Sequence, residues 1–342
     1  MENDRASLLE LGVRLMAEHY PGMTVKQAAI IQSGGIKTIW KIETDAGPVA
    51  LKRIRKSVPT VRFTTAAQSY LAAKGALVPR IVPTGKGELF FVHEGHPLAL
   101  YEWIDGRDLY MEEVAEHLCA GVRGLARFHR DTAGFVPPAD GEAYDRMGEW
   151  PRHYREMREE LARWKSESEQ RESVFHQTYA REAERMIRLA DLAIDLLAQS
   201  CYAEWVRELG PYGCMAHQDY GKGNALETDR GVYVLDLDNL AYDVPLRDLR
   251  KLIVKRMDYL QRWDEPELDR IIGWYTSVYP LTESQIAILY IDMLFPHYFY
   301  GTAKNPFKKG KRGEVDKLLE SAAFERGKLP LLADRLGLDL GE

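Results

Sequence analysis

The chain has 342 residues, 45% of them hydrophobic and 29% charged, with a formal net charge of −6. That balance fits a soluble globular protein of about two domains and argues against a disordered chain. It also argues against nucleic acid as a partner, because phosphate-backbone binding needs clustered positive charge. Cys119, Cys201 and Cys214 are far apart, odd in number and in no C-x-x-C pair. That pattern speaks against a disulfide framework or zinc site and for a reducing compartment. The N-terminal stretch alternates Leu8, Leu9, Leu11, Leu15 and Met16 with Glu10 and Arg14, which predicts an amphipathic helix and not a secretory leader. No run approaches the roughly 20 apolar residues that span a bilayer, so no membrane partner is expected. The expectation is a protein made and kept inside a cell.

The first third of the chain predicts short strands over Gln27–Gly34, Ile36–Thr44 and Pro48–Ile54, rich in β-branched residues. Gly34-Gly35 and Asp45-Ala-Gly47 supply turn chemistry between them. A helix is expected from Thr60 to Lys74, closed by Gly75, then strands over Leu89–Val92 and Leu98–Trp103. After Asp105-Gly106 the pattern turns helical. Glu112–His129 carries Val114, Leu118, Val122, Leu125 and Phe128 at helical spacing, and Pro137-Pro138 breaks it. The charge-dense stretch Tyr154–Leu209 predicts two long surface helices. One β element interrupts the helical part: Asn224–Glu227, a Thr-Asp-Arg-Gly turn, and Val232–Asp236, the pattern of a hairpin. Helices resume at Pro245. The fold class expected is α+β, with a small β-rich lobe over residues 1–104 and a larger, mainly helical lobe over 105–342. The charged helical segment occupies about 140–209 of the second lobe.

The strongest chemical signal is His217-Gln-Asp219-Tyr-Gly-Lys-Gly-Asn224, followed by Asp236 in Val-Tyr-Val-Leu-Asp-Leu-Asp238. This is the H-x-D-x-x-x-x-N spacing of a kinase catalytic loop, with a metal-binding Asp after the next β element. Phosphoryl transfer asks for positioning and charge neutralisation more than covalent chemistry. Asp219 is the expected acceptor of a hydroxyl proton. Asn224 and Asp236 are the expected Mg²⁺ ligands, with Asp238 as a possible addition, and His217 is expected to brace the loop. Val49-Ala-Leu-Lys52 resembles the strand whose lysine pairs the α- and β-phosphates of ATP. Ser33, Gly34 and Gly35 offer backbone N–H groups to phosphates, although an ordinary hairpin turn explains them equally well. Backbone groups of Glu102 and Ile104, in Tyr101-Glu-Trp-Ile-Asp-Gly106, are candidates for adenine, against the alternative of a plain linker. The cofactors implied are ATP and Mg²⁺, in a cleft of the kind found between lobes.

These residues, with Tyr242-Asp-Val-Pro-Leu-Arg-Asp-Leu249, resemble the aminoglycoside phosphotransferase and choline kinase superfamily, which has the protein-kinase-like fold. Within it the chain is similar to the spore coat protein S family of endospore-forming bacteria. Ala50–Ile54, Ala67–Leu71, Val234–Lys251 and Ile291–Pro296 carry that similarity. The resemblance implies a two-lobe kinase-like protein associated with the spore coat. Its partners are a nucleotide and a small-molecule or coat-component acceptor. Two readings follow: an ATP-dependent phosphotransferase, or a structural coat protein on a kinase scaffold. Antibiotic phosphorylation is a third, and it requires an acidic acceptor lining in which Glu156, Glu159 and Glu160 are the candidates. One departure stands out. Active protein kinases pair the strand lysine with a Glu on the following helix, yet Thr60–Lys74 contains no acid and has Gln68 in that region.

Other features have plainer explanations. Asp243 and Asp248 are expected to cap or anchor the next helix. Arg247, Arg250 and Lys251 predict a solvated helix face, and the basic run Lys304–Arg312 predicts a solvated loop. The aromatic cluster of Tyr290, Phe295, His297, Tyr298, Phe299 and Tyr300 predicts core. His19, His93, His96, His129, His153 and His176 match no metal-ligand spacing.

Overall fold

A computed structural model describes residues 2–34 and 37–339. The protein is α+β, with a β-sheet N-terminal region and a helical C-terminal region. It forms two compact units, neither of which is contiguous in sequence. The first comprises the chain up to Tyr110, Arg123–Asp145 and Tyr212–Tyr242. The second comprises Met111–Val122, Arg146–Pro211 and everything from Asp243.

The first unit opens with helix α1 (Glu2–His19) and strands β1 (Val25–Gly34), β2 (Lys37–Thr44) and β3 (Gly47–Arg53). Helix α2 (Val58–Ala73) and strands β4 (Ile81–Val82), β5 (Phe91–His93) and β6 (His96–Glu102) follow. The antiparallel sheet runs β1-β2-β3-β6-β4, with β5 on β6. Strand alternation divides its two faces. Trp40, Ile42, Val49, Leu51, Leu98 and Leu100 pack with Leu15 and Met16 of α1 and with Tyr20 just after it into one apolar core. The intervening positions Ile39, Ala50 and Lys52 are left for the other face. Trp40 is fully buried, and its indole N–H donates to Leu8 O at 2.8 Å. Helix α2 starts where Ser57 accepts from the Thr60 N–H at 3.3 Å, with Pro59 in its first turn. It ends before Gly75, whose φ of +83° suits glycine.

The unit continues with β7 (Arg107–Asp108), helix α3 (Ala115–Asp131, of which residues from Arg123 belong here) and β8 (Tyr144–Asp145). Strands β9 (Met215–Ala216), β10 (Ala225–Thr228), β11 (Gly231–Val234) and β12 (Ala241–Tyr242) complete it. The predicted hairpin is β10–β11, with Ala225 opposite Val234 and β7 added on the β10 side. Strand β12 lies between β8 and β9.

The second unit is built from α4 (Trp150–Glu169), α5 (Val174–Gln199), α6 (Tyr202–Leu209), α7 (Leu246–Leu260), α8 (Glu265–Thr276), α9 (Glu283–Leu294), α10 (His297–Lys309), α11 (Val315–Gly327) and α12 (Leu329–Leu336). Helices α4 and α5 are not merely surface helices, as their charge density had predicted. Trp150, Tyr154, Leu161 and Trp164 recur at helical spacing among the charges and are buried. On α5 the buried face includes Phe175, Tyr179, Met186 and Ala190. Trp164 stacks on Phe307 at 5.1 Å between ring centres. The basic run at Lys304–Arg312 is helical up to Lys309 and not a loop. Of the aromatic cluster, Phe295 and Phe299 are fully buried, whereas Tyr298 is 38% exposed.

A buried polar knot ties four of these helices together. Asp292 of α9 accepts from Arg250 Nε of α7 at 2.7 Å, from the Tyr154 hydroxyl of α4 at 2.5 Å and from His297 Nε2 of α10 at 2.7 Å. Burial pushes the Asp292 carboxyl up, but Arg250 and then His297 outweigh it and hold Asp292 well below the usual carboxylate range. Burial first, and Arg250 second, push His297 down to about 4.

Two predictions follow from this packing. A Cβ on Gly12 of α1 would lie 2.8 Å from the Trp40 ring. Gly12→Ala improves helix propensity by about 1 kcal/mol, but it forces overpacking that costs roughly 1–3 kcal/mol. A net fall in Tm by calorimetry is expected, and an unchanged or higher Tm would contradict this packing. The second concerns acid. His297 is neutral in the fold, whereas the unfolded chain takes up its proton near pH 6.5, about the ordinary histidine value. Its contribution to stability is therefore complete above that pH and is lost as pH falls towards 4. Tm should drop across this window, and His297→Gln, which keeps an N–H donor, should flatten the drop. An identical slope in the variant would contradict the assignment.

Candidate active site

Lys52 lies on β3 next to Leu51, so alternation turns it away from the apolar core. It is 6% exposed. Its Nζ contacts Asp236 Oδ1 at 2.8 Å and Asp238 Oδ1 at 2.7 Å. Burial disfavours the ammonium, but Asp238 and Asp236 outweigh it, and Lys52 titrates above the ordinary lysine value. The stability this pairing gives is present at neutral pH and is lost only as pH rises through that raised value. The lysine thus obtains carboxylate partners without an acid on α2. Gln68 of α2 instead donates to Pro79 O at 2.7 Å.

The hairpin register explains how distant residues meet. Pairing of Ala225 with Val234 sets Asn224 beside Leu235, whose N–H donates to Asn224 O at 2.9 Å. Asp236 is the next residue. It adopts a left-handed conformation (φ +58°, ψ +63°), unfavourable for a residue with a Cβ. The chain then enters a 3₁₀ turn, Leu237–Asn239, which carries Asp238. Asn239 Oδ1 accepts from Lys56 Nζ at 2.8 Å.

The loop after β9 is held from within. His217 is fully buried. Its Nδ1 accepts from the Asp219 N–H at 3.2 Å, and its Nε2 lies 2.7 Å from Leu235 O. These contacts set the tautomer with the proton on Nε2, and the ring fastens the loop to the end of the hairpin. Phe128 and Tyr220 pack edge-on against it at 5.9 Å. Gln218 takes φ +70° between His217 and Asp219. Asn224 Nδ2 donates to Asp219 O at 2.9 Å, which leaves its Oδ1 to serve as an acceptor.

Lys52, Asp219, Asn224 and Asp236 all line one cavity of about 640 Å³ inside the first unit. Ile31, Ile39, Ala50 and Leu226 contribute apolar wall, and Glu102, Trp103 and Ile104 lie at the end of β6 and just past it. The Glu102 N–H donates to Arg80 O at 2.9 Å, and its carboxylate accepts from Arg80 Nε at 2.7 Å. Ser33 and Gly34 stand at the tip of the β1–β2 hairpin, with Gly34 opposite Lys37, and Gly35 lies outside the described residues. Asp108 also lines the cavity and was not singled out from sequence, and Gln32 and Tyr101, which open two of the motifs read there, line it without having been assigned a role. Alternation with the buried Leu100 was the available signal for Tyr101.

Among the described residues no three His, Cys, Asp or Glu side chains converge as a metal-ligand set. The donors present are the carboxylates of Asp236 and Asp238 and the amide oxygen of Asn224. That set fits Mg²⁺, which keeps several waters and takes phosphate oxygens, and does not fit a structural zinc. The cavity combines an apolar wall with one strongly charged end, which fits a nucleotide carrying phosphates.

The chain is 28% identical over 300 residues to spore coat protein S of Bacillus subtilis (strain 168), covering 87% of this chain and 85% of that protein. Its fold matches the aminoglycoside phosphotransferase from Alicyclobacillus acidocaldarius with a TM-score of 0.75 at 17% identity, over 91% of each chain. It also matches an amicoumacin kinase solved in complex with AMP-PNP, Ca²⁺ and Ami, with a TM-score of 0.59 at 14% identity, over 96% of this chain and 95% of that one. Residues 27–283 match the phosphotransferase enzyme family, and the chain belongs to that family.

Proposed function

We propose that the protein is a spore-coat-associated kinase that transfers phosphate from ATP, with Mg²⁺, to a hydroxyl or amine of a small molecule or coat component. The observation that carries this reading is that Lys52, Asp219, Asn224 and Asp236, up to 184 residues apart, share one cavity. When bound, Mg·ATP supplies the transferable phosphoryl group and the divalent charge over it. Asp236 and the Oδ1 of Asn224 would hold the metal, with Asp238 alongside. Lys52 would then exchange part of its carboxylate contact for the α- and β-phosphates. Backbone groups of Glu102 and Ile104 would receive the adenine, and backbone N–H groups of Ser33 and Gly34 would face the phosphates. Asp219 takes the proton from the attacking hydroxyl. His217 does no proton transfer in this scheme, since both ring nitrogens are engaged in holding the loop.

The similarity to spore coat protein S supports a place in the spore coat after synthesis inside the cell. Among the described residues no helix is long and apolar enough to cross a membrane. A second reading, a structural coat protein on this scaffold, draws support from α2. That helix offers no acid to Lys52, and its Gln68 is committed to Pro79 O.

Two experiments test the proposal. ATP consumption with a spore-coat extract as acceptor should fall by about 10²–10⁴-fold in Asp219→Asn, the range for loss of a general base. Unchanged turnover in the variant would remove Asp219 from the chemistry, and no turnover by the wild type would favour the structural reading. Lys52→Met removes the ammonium that Asp236 and Asp238 both contact. Breaking a buried pair in this way costs about 3–5 kcal/mol. Mg²⁺ should restore part of the loss. A loss that Mg²⁺ does not touch would contradict the proposed metal site.

A further inference from the structure

The second unit contains its own cavity of about 420 Å³, formed by residues of α4, α7, α9 and α10 and the segments before α4 and α7. Sequence patterning had assigned Arg247 and Arg250 to a solvated face. Both line this cavity instead, together with Arg146, Lys304 and Lys308. The acids in the lining are already occupied. Asp292 is held by Arg250 at 2.7 Å, and Glu160 by Lys308 and the Tyr300 hydroxyl, each at 2.5 Å. Glu156 is taken by Arg152, and Asp243 accepts from the Trp150 indole and the Val244 N–H, both at 2.9 Å.

The remaining cations are differently placed. Arg146 Nη1 lies 2.8 Å from the imidazole of His153, which brings no negative charge to it when neutral. Arg247 has 28% of its side chain exposed, with Asp248 3.6 Å away. Burial, together with Arg250 and Arg146 close by, holds Arg247 below the usual arginine value, against the opposing pull of Asp248 and Asp243. Like charges crowded into a partly desolvated space repel, and an anion between them relieves that repulsion. Planar guanidinium forks match the oxygens of carboxylate and phosphate. Trp150 and Tyr154, stacked at 6.2 Å, add a flat aromatic wall for the body of a ligand.

We propose that this cavity is a binding site for a small anionic molecule bearing a phosphate or carboxylate group, held by Arg146 and Arg247 with Lys304. The proposal stands whether or not the chain transfers phosphate, because every residue it uses belongs to the second unit. It also makes this cavity unsuited to a polycationic drug.

The test is calorimetric titration of the full chain with inorganic phosphate and, separately, with citrate, in Mg²⁺-free buffer of low ionic strength. At least one should bind saturably at one site. Affinity should fall at least about tenfold in Arg247→Gln and in Arg146→Gln, and less in Arg247→Lys, which keeps the charge but loses the fork. Circular dichroism matching the wild type would show the variants to be folded. Tighter binding of phosphate identifies a phosphorylated ligand, and tighter binding of citrate a carboxylated one. Failure of both anions to bind at millimolar concentration, or equal binding by the folded Gln variants, would overturn the proposal.

Discussion

An ammonium cannot leave water without compensation, and at Lys52 the compensation comes from two carboxylates. The effective penalty for burying such an ion is several kcal/mol, and only well-placed opposite charge offsets it. Asp236 and Asp238 provide that charge within 2.8 Å, from the far end of a hairpin. For them to arrive there, β10 and β11 must keep their register, and Asp236 must accept a left-handed backbone. The loop must also be anchored at Leu235, which His217 does. The strand, the hairpin and the catalytic-type loop are thus interdependent parts of one electrostatic arrangement.

That arrangement bears on the proposed function. A divalent cation would compete with Lys52 for the same carboxylate oxygens. Metal and phosphate arriving together would exchange one set of ionic contacts for another, with the positive charge of Lys52 moving from protein oxygens to nucleotide oxygens. Asp236 and Asp238 give Lys52 the carboxylate contacts that α2 does not offer. The second unit solves a similar problem differently. There Arg250, His297 and Tyr154 surround Asp292 and leave its carboxylate deeply ionised.

Much of this could be read from residue order because it is local. Strand alternation, the turn at Asp45-Ala-Gly47 and the hairpin around Thr228–Gly231 are decided by a few neighbouring side chains. The spacing from His217 to Asn224 is likewise a property of one loop. The parts that were misread are non-local. Charge density on α4 concealed a buried face, because four apolar residues spaced through 20 are enough to seat a helix. Arg250 looked solvated because its partner, Asp292, lies 42 residues away on another helix. The assignment of Tyr212–Tyr242 to the same compact unit as the N-terminal strands follows from tertiary pairing, which no window of sequence displays.

The central claim is that Asp236 and its neighbours form a metal-dependent nucleotide site. The most direct test is calorimetric titration of wild type and Asp236→Asn with AMP-PNP, each with and without Mg²⁺. Saturable binding by the wild type that requires Mg²⁺, and its loss in Asp236→Asn, is the predicted result. Equal affinity without Mg²⁺, or unchanged binding by Asp236→Asn, would contradict the account.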